Sequence, residues 1–83
     1  MRSDEMADIN PDALLPDGLD DAYIGYTIGP AGRSVAVYDA ERCVEVVARD
    51  HGMTAEDAEE YLDHNTFCAY VGPDGPLYVR LTR

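Results

Sequence analysis

Residues 39–65, DAERCVEVVARDHGMTAEDAEEYLDHN, decide the fold: their spacing predicts two short helices joined by a tight turn, with strand-like segments on either side. Asp39 follows the run Ser34-Val35-Ala36-Val37-Tyr38. Its carboxylate suits the N-cap of the first helix, and Glu41 falls where the helix dipole favours negative charge. Ala40, Cys43, Val44, Val47 and His51 recur at the spacing of one helix face, widened by Val46, so that face is expected in the core. Gly52 marks the end, because glycine takes the left-handed conformation of a C-cap, and Met53 can fold back as its hydrophobic contact. Thr54-Ala55-Glu56-Asp57 then has the Thr-x-x-acid form that starts a helix. This second helix is expected to bury Ala58, Tyr61 and Leu62, with Ala55 at the margin. Glu56, Asp57, Glu59, Glu60 and Asp63 are left on an acidic outer face without a single basic residue.

Working outward, Ile24, Tyr26 and Ile28 alternate as in a half-buried strand, and Gly25 weakens that strand or marks a bulge. Gly29-Pro30-Ala31-Gly32 is turn chemistry and predicts a hairpin with residues 34–38. Cys68-Ala69-Tyr70-Val71, the similar turn Gly72-Pro73-Asp74-Gly75, and the alternating Leu77, Val79 and Leu81 predict a second hairpin. The expected architecture is therefore α+β: a four-stranded antiparallel sheet from two β-hairpins, with the central helix pair packed on one face (ββααββ). Residues 1–18, acidic and interrupted by Pro11 and Pro16, are expected to form a flexible tail, with Leu14, Leu15 and Leu19 available to dock it. Residues 19–83 form one small domain with a thin core.

Seventeen acidic residues stand against six arginines and no lysine, a net charge of −11. This composition resembles the proteome style of salt-accumulating haloarchaea. A dense carboxylate surface stays hydrated when multimolar salt shortens the Debye length to about 3 Å, whereas at low salt the same charges repel one another. Two cysteines do not make a disulfide framework, and neither a membrane span nor a signal peptide is evident, so a cytoplasmic location is expected. The segments LLPDGLDDAYIGY, VAVYDAERCVEVVARDHGMTAEDAEEYLDHN and AYVGPDGPLYV resemble a family of small uncharacterised proteins common in phage and prophage genomes. The resemblance covers residues 14–79. It rests on Asp20, Asp21, Gly25, Tyr38, Asp39, Cys43, Gly52, Met53, Asn65 and Gly72, and it implies no activity.

Cys43, His51, His64 and Cys68 are ligand types for zinc, but they lack the close pairs of structural zinc sites, so no metal is assigned. Cys43 falls on the apolar face, which makes it a core residue and not a nucleophile. Neither Gly-Pro-x-Gly turn is a phosphate loop, and no cofactor is implied. Asp20 and Asp21 could serve acid–base chemistry or start a helical turn, and Asn65 could bind or act as a left-handed C-cap. The helix pair has the outline of a helix-turn-helix, but its five carboxylates would repel DNA, so direct nucleic-acid binding is excluded. What fits is a non-enzymatic interaction or structural module. It is expected as a homodimer that extends its sheet or buries Tyr23, Tyr38, Tyr70 and Tyr78. One alternative is an acidic nucleic-acid mimic that presents Glu56, Glu59 and Glu60 to a basic protein partner. A second is a small enzyme using Asp20, Asp21 or Asn65.

Overall fold

The caps at Asp39, Gly52 and Thr54 form as expected, and the architecture is built around them. The computed structural model describes residues 5–82. In chain order it contains α1 (Met6–Ile9), a 3-10 turn (Asp20–Ala22), β1 (Tyr23–Ile28), β2 (Ser34–Asp39), α2 (Ala40–His51), α3 (Ala55–Leu62), a π turn (Asp63–Phe67) and β3 (Leu77–Val79). The Asp39 carboxylate accepts hydrogen bonds from the backbone N–H groups of Glu41 at 3.0 Å and Arg42 at 3.3 Å. Gly52 sits at φ 65°, and the N–H of Met53 donates to the Ala48 carbonyl at 3.1 Å, the six-to-one bond of a Schellman ending. Thr54 Oγ1 accepts from the Asp57 N–H at 3.1 Å and opens α3. Ala40, Cys43, Val44, Val46 and Val47 of α2 are buried, as are Ala58 and Leu62 of α3. His51 and Tyr61, expected inside, are exposed at the outer end of the pair, with ring centroids 6.3 Å apart.

The fold is α+β, but its sheet is three-stranded and mixed, in the order β1-β2-β3, which corrects the expected four-stranded antiparallel arrangement. β1 and β2 form the predicted antiparallel hairpin, closed by Gly29 N–H to Arg33 O at 2.8 Å and Gly32 N–H to Gly29 O at 2.9 Å. β3 instead pairs parallel with β2, Val37 opposite Leu77 and Asp39 opposite Val79. The α2–α3 connection supplies the long crossover that a parallel neighbour needs. Residues 68–71 form no strand, and Tyr70 and Val71 are 84% and 51% exposed. The second Gly-Pro-x-Gly turn does close, with Gly75 N–H to Gly72 O at 3.2 Å, but it is tied to the other end of the chain. Asp74 accepts from Asn10 Nδ2 at 2.9 Å and from the Arg33 guanidinium, and its carbonyl accepts from the Leu14 N–H at 3.0 Å. With that turn anchored, and Pro76 unable to donate to a ladder, only three residues reach the free edge of β2.

The ladder between β1 and β2 slips between Tyr23 and Gly25, where Gly25 has φ 150°. The expected bulge is therefore present. It turns Tyr23 inward opposite Tyr38, and Tyr38 in turn lies opposite Tyr78. The three rings form a row across the sheet, with centroids 5.7 Å and 5.8 Å apart, and Phe67 closes it 5.0 Å from Tyr78. Three of the four tyrosines expected at a dimer interface are thus packed within the chain. The Tyr38 hydroxyl is fully buried and has no hydrogen-bond partner among the described residues. Burial raises its pKa, with smaller contributions from Asp20 and its neighbours.

Of the N-terminal stretch expected as a tail, residues 1–4 lie outside the described residues, and the rest packs on the body. Met6 is 1% exposed and joins the core cluster. Asn10 Nδ2 also donates to the Ser34 carbonyl at 2.8 Å, which fixes this segment to the start of β2. Leu19 is buried, while Leu14 and Leu15 remain at the surface.

Candidate interaction site at the edge of the sheet

The candidate enzymatic residues belong to two different elements. Asp20 and Asp21 belong to the 3-10 turn that leads into β1, and Asp21 Oδ2 receives Arg49 Nη2 from the end of α2 at 3.1 Å. Asn65 lies in the π turn and donates from Nδ2 to the Tyr61 carbonyl at 2.9 Å. No described non-glycine residue has positive φ, so Asn65 is not the left-handed C-cap considered for it. It lines a shallow cleft of about 260 Å³ beside Leu15, Val71 and Tyr78, and that cleft includes neither Asp20 nor Asp21.

Glu56, Glu59 and Glu60 do come together. With Asp63, His64, Ala55 and Val44 they line one shallow concave surface on the outside of α3. Arg80 Nη2 approaches Glu59 at 3.8 Å, a long and exposed contact worth little. Glu56 and Glu60 have no cation within salt-bridge distance among the described residues. The carboxylates therefore form a contiguous hydrated array.

A further cleft, about 540 Å³, lies between β2, β3 and the loop after α3. Its walls include Val35, Phe67, Leu77 and Tyr78, with Asp63 and Arg80 among its polar groups and Cys68 beside them. Cys43 is buried, and its thiol is pushed up to about 12 by desolvation and then by Asp39, so it stays protonated at neutral pH. Cys68 is exposed. Among the described residues, no three His, Cys, Asp or Glu side chains gather closely enough to hold a metal ion. No described helix is long and apolar enough to cross a membrane.

The surface that stands out is β1. Among the described residues it is the longer of the two sheet edges, six residues against three in β3, with β2 on one side of it. Its sequence YIGYTI carries no charge in a chain of net charge −11. Ile24, Tyr26 and Ile28, expected to be half-buried, are 40%, 53% and 64% exposed. Natural sheets block open edges with lysine, proline, inward charges or bulges, because unpaired backbone groups template a further strand. Here the only such device is the bulge, and it sits at the start: Gly25 to Ile28 run in unbroken register with Val37 to Ser34. The alternation Ile24, Tyr26, Ile28 was visible in the sequence, but it says which residues are apolar and not which are covered. What the alternation does not show is that the bulge brings Tyr23 onto the same face as Tyr26 and Ile28, and that of these three it is Tyr23 that is covered. No family model, curated protein or solved structure matches this chain.

Proposed function

We propose that this chain is a non-enzymatic interaction module that associates through the outer edge of β1, forming a homodimer in which a partner strand extends the sheet. One observation carries the reading: an uncharged six-residue edge strand exposes three large apolar side chains on an otherwise acidic molecule. Strand addition gains main-chain hydrogen bonds and buries the alternate side chains, which is the recognition mode that an open edge favours. The acidic remainder has a separate role. It keeps the chain hydrated and dispersed in a salt-accumulating cytoplasm, where repulsion between copies is screened and the apolar edge can adhere. Hydrogen exchange tests this. In a free edge strand the amides that face away from β2 exchange rapidly. In concentrated protein in multimolar KCl those amides of β1 should be protected, and the protection should fall on dilution. Rapid exchange at every concentration would count against the module.

The contiguous array of Glu56, Glu59, Glu60 and Asp63 supports a second reading, a phosphate mimic that occupies a basic nucleic-acid-binding protein. Charge reversal of Glu56, Glu59 and Glu60 together should abolish capture of such a partner. Binding that survives the triple change would remove this reading.

A further inference from the structure

We infer that the occupant of the β1 edge is a second copy of the same strand, paired antiparallel about a two-fold axis at Tyr26, so that two sheets join into one of six strands. The inference rests on the reading of β1 as the contact surface and adds the partner and the register. It comes from the order of side chains along the strand, Ile24-Gly25-Tyr26-Thr27-Ile28. Reversed, the sequence presents the same outer pattern: a branched aliphatic, a small residue, the tyrosine, a small residue, a branched aliphatic. An antiparallel copy centred on Tyr26 therefore sets Ile24 against the partner's Ile28 and Tyr26 against the partner's Tyr26. These are the aliphatic and aromatic cross-strand pairs that stabilise sheets. An isologous contact requires such self-complementarity, whereas an unrelated strand has no reason to match it.

Charge points the same way. The chain places Asp20 and Asp21 immediately before β1 and the turn Gly29-Pro30-Ala31-Gly32 immediately after it. Antiparallel pairing lays the acidic start of each strand beside the partner's turn. Parallel pairing would bring four carboxylates together at one end. The outer face of α3 is acidic, and the opposite sheet edge, β3, gives three residues preceded by Pro76. The unbroken register of Gly25 to Ile28 with β2 holds four of the five pairing residues extended, and Ile24 lies at the bulge where that register begins.

Disulfide trapping in the full chain reads the register directly. In a Cys68→Ser background that removes the exposed thiol, Tyr26→Cys, Ile24→Cys and Ile28→Cys are each oxidised under the same mild conditions. Residues directly opposite in an antiparallel ladder have Cα atoms about 4.5–5.5 Å apart, within disulfide range. Position 28 and its symmetry mate would be offset by four residues, roughly 14 Å along the strands, and cannot bridge without fraying. Tyr26→Cys should therefore form the covalent dimer at least ~10-fold faster than either flanking variant, given that Cα separations beyond about 7 Å are not bridged. All three side chains are substantially exposed in the single chain, so each variant is expected to fold, with circular dichroism as the check. Equal rates at the three positions, or a maximum at position 24 or 28, would overturn the register. A monomer by sedimentation overturns self-pairing while leaving the edge open to other strands. A dimer that none of the three cysteines traps overturns the assignment of β1 as the contact surface as well.

Discussion

Replacing Tyr38 with phenylalanine should stabilise the protein, which is the reverse of what losing a tyrosine hydroxyl in a core ordinarily does. The ring is fully buried, between Tyr23 and Tyr78 at 5.7 Å and 5.8 Å, and those contacts survive the change. The hydroxyl has no hydrogen-bond partner among the described residues. A buried polar group left unsatisfied costs about 1–3 kcal/mol of desolvation, whereas a satisfied one contributes about 1 kcal/mol. Tyr38→Phe is therefore expected to raise the unfolding free energy by about 1–3 kcal/mol. For a chain of this length each kcal/mol corresponds to roughly 4–8 °C in Tm. The assay is urea unfolding followed by circular dichroism, at one protein concentration and one salt concentration, because association through β1 would itself shift the midpoint. An unchanged m-value with a higher midpoint is the expected result. A loss of about 1 kcal/mol or more would refute the reasoning, since it would mean that the hydroxyl is hydrogen-bonded in the folded protein.

Three further outcomes follow from the core and its edges. Met6→Ala should cost about 2–5 kcal/mol in the same urea assay, as for other buried large-to-small changes, and a cost near zero would place the first residues outside the cooperative unit. Of the two thiols, Cys68 should react with a thiol reagent in the native state and Cys43 only on unfolding, since burial and Asp39 push the Cys43 thiol up to about 12; two fast thiols would contradict that placement. Burial also pushes Tyr78 up to about 12 and raises Tyr38, so the unfolded chain ionises first: stability is full below about pH 10 and falls as pH rises from there through the folded-state values. Tyrosinate absorbance that appears in two steps, the second with unfolding, would mark this, and a single step near pH 10 with the fold intact would oppose it.

The parts of the fold that were legible in the sequence are those that local chemistry specifies. Asp39, Thr54 and Gly52 each satisfy backbone groups within a few residues, and their caps appear in the structure as written. Gly25 signalled a bulge on the same footing. The misses in the sheet and at the N-terminus are long-range. Gly72-Pro73-Asp74-Gly75 forms its turn, but whether a turn joins two paired strands depends on what its residues bind, and Asp74 binds Asn10 and Arg33 from distant segments. Nothing local in MADI tells that Met6 fills a core position, because a four-residue helix has no periodicity to read. The candidate site was half legible: the apolar alternation of β1 could be seen, but which of its residues are covered depends on long-range packing, which buries Tyr23 across from Tyr38 and leaves Tyr26 and Ile28 on the same face exposed. Asp20, Asp21 and Asn65 stand out by residue type, and type does not show that Asp21 pairs with Arg49 while Asn65 donates to the Tyr61 carbonyl.

Association through an uncharged strand on an acidic molecule is tested most directly by sedimentation velocity across protein concentration in multimolar KCl, comparing the native chain with Tyr26→Lys and with Tyr70→Lys. Tyr70 is the control, an even more exposed tyrosine remote in sequence from β1. The native chain and Tyr70→Lys should show a concentration-dependent dimer. Tyr26→Lys, which places a charge in the middle of the edge, should sediment as a folded monomer throughout. A native chain that remains monomeric at every concentration, or a Tyr26→Lys variant that dimerises as the native chain does, would contradict the account.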